Sequence, residues 1–129
     1  MILDSTFIHD LVREKQAAIN CLAELSEAGT RVALSTLTVF EVGVGLRGEG
    51  AQYRDQFEEH TDQLVVLPLA EGDARRALDV QQTLLDRGEP IGARDVLIAG
   101  TALGSADPRV LTRNVDEFDR VDGLTVETY

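Results

Sequence analysis

Met1-Ile2-Leu3-Asp4-Ser5-Thr6 opens the chain, and its reading decides the fold. Three apolar residues run directly into a carboxylate, and two hydroxyl residues suited to a helix N-terminus follow. This reads as a short buried strand passing into a helix, with an acid at the junction. The pattern recurs along the chain. Residues 32–34 are apolar and precede Ser35-Thr36, residues 64–67 are apolar and stop at Pro68, and Val110-Leu111 precede Thr112-Arg113-Asn114. Helices are predicted over residues 5–11, 17–28 (stopped by Gly29), 36–46, 51–63, 71–87 and 94–103. In the fifth of these, Ala74, Ala77, Leu78, Gln81, Leu84 and Leu85 fall near one face. A short helix at 115–121 and a final strand at 124–127 complete the pattern. Near-continuous apolar strands alternating with helices specify an α/β fold in three layers, α/β/α. The central sheet is mostly parallel, with about five strands.

A chain of 129 residues with 43% hydrophobic content is one domain by size and has enough apolar material for a core. No apolar run reaches the roughly 20 residues of a membrane span, so no membrane association is expected. The N-terminus reads as a strand rather than a basic region followed by an apolar one, which disfavours a secretory leader. The one cysteine, Cys21, lies in the helical pattern Ile19, Leu22, Leu25 and reads as a small core residue. A reducing, cytoplasmic setting is expected. The net charge is −11, and Lys15 is the only lysine. Such a surface resists polyanions at low salt and is of the kind expected where salt screening is strong.

Carboxylates stand where burial makes them costly unless hydrogen-bonded, ion-paired or metal-bound. Asp4 ends the first strand, Glu41 interrupts the apolar run 37–46, and Asp95 precedes the stripe Ile98, Ala99, Ala102. Each has a structural alternative. Asp4 suits an N-cap, Thr38-x-x-Glu41 and Asn114-x-x-Glu117 match capping boxes, and Asp95 suits a helix dipole. Ser35 or Thr36 is the better helix start, which weakens the box at Thr38. In parallel α/β sheets, ligands bind beyond the carboxyl ends of the strands, where Asp4 and Asn114 both fall.

In order, Ile2-Leu3-Asp4-Ser5-Thr6, Ser35-Thr36-Leu37-Thr38-Val39-Phe40-Glu41, Ile91-Gly92-Ala93-Arg94-Asp95-Val96-Leu97-Ile98-Ala99 and Leu111-Thr112-Arg113-Asn114 resemble the PIN-domain nucleases. They are most similar to the VapC-type toxins of toxin–antitoxin pairs. The resemblance covers residues 1–129 as a single PIN-like domain. It implies a Mg²⁺- or Mn²⁺-dependent endoribonuclease acting on RNA. A small antitoxin protein, with its C-terminal segment entering the acidic groove, and a homodimeric state are implied with it.

By the same resemblance, Asp4, Glu41 and Asp95 match the core acidic positions, and Asp4 and Asp95 hold the metal directly or through water. Glu41 orients the attacking water, while Thr6 and Thr112 support the carboxylates. Arg113 and Arg94 read first as members of surface salt bridges, with contacts to substrate phosphate as the alternative for each. Asn114 stands where the family often has a further Asp. Asp116 or Glu117 is left to supply the missing charge, and the number of metals stays open. Mg²⁺ takes oxygen ligands, keeps several waters and uses few carboxylates. A bound ion lowers the pKa of water and screens the phosphodiester.

Other readings are weaker. Gly43-Val44-Gly45-Leu46-Arg47-Gly48 matches a dinucleotide-binding fingerprint, but that motif needs a preceding strand, and the preceding residues read as helix. A haloacid-dehalogenase-type phosphatase usually has Asp at the position of Thr6, and Lys15 is misplaced for a receiver domain. His9 and His60 lack partners at zinc spacing and read as incidental. A PIN fold kept as a catalytically weak binding or regulatory module is the non-enzymatic alternative.

Overall fold

The computed structural model describes all residues 1–129. Five strands form one sheet: β1 (Ile2–Leu3), β2 (Ala33–Ser35), β3 (Val65–Leu67), β4 (Arg109–Leu111) and β5 (Thr125–Glu127). Their order is β3-β2-β1-β4-β5, and every pairing is parallel. Seven helices join them: α1 (Ser5–Val12), α2 (Gln16–Glu27), α3 (Thr36–Val44), α4 (Arg54–Gln63), α5 (Glu71–Asp86), α6 (Ala93–Leu103) and α7 (Val115–Phe118). A 3-10 turn over Gly48–Tyr53 precedes α4. No helix is long and apolar enough to cross a membrane.

The strands alternate their side chains between two cores. Leu3, Leu34 and Leu111 face one cluster, with Phe7, Ile8 and Leu11 of α1, Val42 of α3 and Phe57 of α4. Ile2 and Val110 face the other, with Ala77 and Leu84 of α5, Ile98, Ala99 and Ala102 of α6, and Phe118 of α7. The α/β/α layering follows from this two-residue period. The sequence-based boundaries hold to within a few residues, and Gly29 ends α2 with φ +68°.

One face differs from expectation. Leu78 and Leu85 of α5 are exposed, at 55% and 58%, while Asp73, Ala77 and Leu84 turn inward. The helix is rotated because α5 lies very close against α6. The Arg76 side chain crosses to α6, where Nε donates to the Gly100 carbonyl at 3.0 Å. The fingerprint glycines also fall differently from a dinucleotide site, because Gly43 lies inside α3 and no strand precedes it.

The α5–α6 approach depends on Gly100. A Cβ there would lie 2.5 Å from the Asp73 carbonyl oxygen and 2.9 Å from the Ala77 nitrogen. Both are backbone atoms and cannot rotate away. Gly100→Ala is therefore expected to destabilise the fold by about 1–3 kcal/mol, since overpacking forces backbone shifts. Urea unfolding would measure this, and an unchanged midpoint would contradict the close-packing account.

Candidate active site

The site is built on Asp4, at the carboxyl end of the central strand. It is 1% exposed. Its backbone N–H continues the sheet by donating to the Leu111 carbonyl at 3.0 Å. Its side chain caps α1, accepting from the Thr6 N–H at 3.4 Å. Two hydroxyls do more. Thr112 Oγ1 donates to Asp4 Oδ2 at 2.7 Å and Thr6 Oγ1 at 3.0 Å. Both hydroxyls are held in turn, because the Asn114 N–H donates to Thr112 Oγ1 and the Arg113 N–H to Thr6 Oγ1, each at 2.9 Å. Structural cap and site carboxylate are thus one residue.

Ser35 caps α3, accepting from the Leu37 N–H at 3.1 Å, so the helix does not start at Thr38. Glu41 then falls two turns in. One of its oxygens, Oε2, is buried without a partner. The other meets Arg94 Nη1 at 3.2 Å. Glu41 joins two open clefts. One, of about 270 Å³, includes Ser5, Thr6, His9 and Arg113. The other, of about 320 Å³, includes Gly92, Arg94 and Asp95.

Asp95 is half-buried in the first turn of α6. Burial comes first in pushing its carboxyl up to about 7, and its contact with Glu117 and the charges of Asp4, Glu117 and Glu41 add to this. Glu117 moves the other way. Its contact with Asp95 holds it below the ordinary range against some desolvation, with help from Asn114. The two carboxyls are thus driven in opposite directions, Asp95 upward and Glu117 downward. The Asn114 side chain caps nothing. Its Nδ2 donates to Asp95 Oδ2 at 3.0 Å.

The carboxylates of Glu117, Asp4 and Glu41 thus all bear on Asp95 across the ends of the strands. Asp116 is exposed and makes no hydrogen bond or ion pair with them. Glu117 is the acid of α7 that touches Asp95. Arg94 and Arg113 both form ion pairs, with Glu41 and Asp10 respectively. Sequence reasoning missed His9 as a cleft residue and Asp10 altogether. A carboxylate between Ile8 and Leu11-Val12 was the available signal for Asp10.

The donor set is entirely oxygen and suits a hard divalent ion. The buried, partnerless Glu41 Oε2 and the carboxylates crowding Asp95 are both features that a cation would relieve. Even so, no three His, Cys, Asp or Glu side chains gather closely enough to hold an ion as they stand.

Residues 1–124 match the model of the PIN domain. The chain belongs to the PIN-domain family. It is 30% identical over 102 residues to the tRNA(fMet)-specific endonuclease VapC of Salmonella typhimurium, covering 78% of this chain and 76% of that protein. The solved structure of VapBC-1 from nontypeable Haemophilus influenzae superposes with a TM-score of 0.81 at 27% identity, over 98% of this chain and 96% of that one. VapBC2 from Rickettsia felis, solved with a promoter DNA fragment, gives 0.87 at 21% identity, over 99% and 97%, a likeness of fold. The PIN-domain chain is thus homologous to the VapC-type proteins of toxin–antitoxin systems.

Asp95 carries a stability signature. An unfolded aspartate titrates at 3.8 and this one at about 7, so across that window the folded state holds a proton that the unfolded chain has released. Stability from this group therefore falls as pH rises from the lower value through the upper one. Asp95→Asn removes the penalty and still presents an amide to Glu117. The variant is expected to melt several degrees above the parent at about pH 8, with the gap closing towards about pH 4. Thermal melts across pH test this, and a variant no more stable than the parent at the alkaline end would refute it.

Proposed function

We propose that this chain is a metal-dependent endoribonuclease, the toxin of a toxin–antitoxin pair, hydrolysing RNA phosphodiester bonds with Mg²⁺ or Mn²⁺. The observation that carries the proposal is the gathering of Asp4, Glu41 and Glu117 around Asp95 at the strand ends, where burial first and these neighbouring carboxylates second raise its carboxyl to about 7. The endonuclease activity named for the Salmonella relative supports the reaction class. The likeness to the VapBC family of toxin–antitoxin systems supports a small antitoxin partner, and a homodimer is proposed with it. The particular RNA is not fixed by any of these residues.

Asp4 and Asp95 would hold the ion, with Asn114 offering a carbonyl oxygen where the family often has a further Asp. The ion supplies Lewis-acid stabilisation of the phosphodiester and a lowered pKa for water. The chain's own residues do the rest. Glu41, whose Oε2 has no partner, would accept a proton from the attacking water as the water oxygen bonds to phosphorus. The bond from phosphorus to the leaving sugar oxygen breaks, and that oxygen takes up a proton. Thr6 and Thr112 keep Asp4 fixed by donating to the same oxygen.

A second reading is a catalytically weak PIN-fold binding or regulatory module. The metal-free geometry taken alone fits it better. Glu41 is paired with Arg94, the Asp95 carboxyl is raised, and no three candidate ligands gather. On the nuclease reading Arg94 would release Glu41.

Incubation of purified protein with total RNA separates the two. Cleavage with Mg²⁺ or Mn²⁺ is expected, and EDTA, Asp95→Asn and Glu41→Gln should each reduce it by roughly 100-fold or more. Cleavage that survives both substitutions would overturn the mechanism. RNA binding without metal-dependent cleavage would establish the binding module.

A further inference from the structure

The acidic cleft has one cationic margin. Against 23 Asp and Glu the chain carries only 12 Lys and Arg, yet Arg13, Lys15 and Arg113 all bear on His9, which lines the cleft with Glu41. Asp10 gathers two of these cations. It is 3% exposed and accepts from Lys15 Nζ at 2.8 Å, Arg113 Nε at 2.8 Å and the Tyr129 hydroxyl at 2.9 Å. Burial opposes its ionisation, but these partners prevail and hold it below the ordinary carboxylate range. Tyr129 is fastened to the core. Its ring stands edge-on to the buried Phe7, with centroids 4.8 Å apart, and its hydroxyl also donates to the Thr6 carbonyl at 3.1 Å.

One carboxylate needs one counter-cation, and Asp10 has two and a phenol. The surplus positive charge stands at the rim of a cleft that is otherwise acidic. Arg113 is fixed there from both ends. Its backbone N–H reaches Thr6 Oγ1, which donates to Asp4, and its Nε and Nη2 grip Asp10. Its Nη1 has no partner in the protein, and its side chain is 48% exposed. A guanidinium immobilised on one edge and open on another presents a directed donor to an anionic oxygen. Arg13 is braced separately, 5.1 Å over the Tyr53 ring.

We propose that Arg113 contacts a backbone phosphate of an RNA strand lying in the cleft, and that Asp10 and Tyr129 are positioning residues that hold it at the rim. The nature of the ligand rests on the endoribonuclease reading, while the place of the contact rests on the geometry.

The test is equilibrium binding of a short single-stranded oligouridylate to the full chain in EDTA, titrated with KCl. The unsubstituted chain binds, and Arg113→Gln should weaken binding about 5- to 10-fold and flatten the salt slope by roughly 0.7, the share of one phosphate contact on a single strand. Arg113→Lys should recover the slope, because the charge returns. Tyr129→Phe keeps every charge, so it should keep the slope and lower affinity about 2- to 3-fold through lost placement. Arg75→Gln, on α5 across the sheet, removes the same charge far from the rim and should leave binding unchanged. No binding by the unsubstituted chain, or equal behaviour of Arg113→Gln and Arg75→Gln, overturns the phosphate contact. Tyr129→Phe binding like the unsubstituted chain overturns the positioning role. Loss of the nuclease reading would show separately, as missing metal-dependent cleavage with this binding pattern intact.

Discussion

Asp4 is a carboxylate with almost no exposed surface, placed where the central strand ends and the first helix begins. Burying such a charge is costly unless donors surround it. The donors come from the chain on both sides of the central gap in the sheet. Thr6 follows Asp4 into α1, and Thr112 arrives at the end of β4, more than a hundred residues later. Because β1 and β4 pair in parallel with Leu3 opposite Leu111, the two strand ends are level, and Thr112 meets Asp4 without any adjustment of its loop. The register of the sheet and the hydrogen bonding of one buried carboxylate are therefore a single constraint. A slip in register would bury a charge with half of its donors.

The remaining carboxylates are accommodated by different means. Glu41 leans on Arg94. The Asp95 carboxyl is raised beside that of Glu117, which is lowered, and Asn114 donates a hydrogen bond to Asp95. Each of these is reversible, whereas the hydroxyl clamp on Asp4 is built into the fold. Asp4 is thus the fixed point, and Glu41, Asp95 and Glu117 are the groups whose charge state a cation could change. Asn114 bears on the same balance. With an aspartate in its place, another negative charge would join a set that already raises the Asp95 carboxyl.

Elements whose signal is local could be read from the sequence. Ser35 after a short apolar strand identified the start of α3, and Asp4-Ser5-Thr6 identified the strand-to-helix junction, because capping depends on residues within three positions. The face of α5 could not be read in the same way. Leu78 and Leu85 fit the helical period as well as Ala77 and Leu84 do, and only the close approach at Gly100 decides which pair turns inward. Asn114-x-x-Glu117 had the form of a capping box, but both side chains turn to Asp95, twenty residues away, which no local pattern encodes. Asp10 was missed for the same reason. Its partner Arg113 is distant in sequence, and Tyr129 is the last residue of the chain.

The arrangement of charge bears on how an acidic protein could approach a polyanion. A net charge of −11 repels RNA at long range, but at physiological ionic strength that repulsion is largely screened beyond roughly 8 Å. Within that distance only local charge matters, and the groups about Asp10 are cationic on balance although the molecule is not. A strand could then be held at the rim by Arg113 while its neighbouring phosphodiester faces the carboxylates, where a cation would be needed to offset them. Rim and centre place opposite demands on the same ligand, and it is their proximity, through Thr6 bonded to both Arg113 and Asp4, that lets one strand meet both.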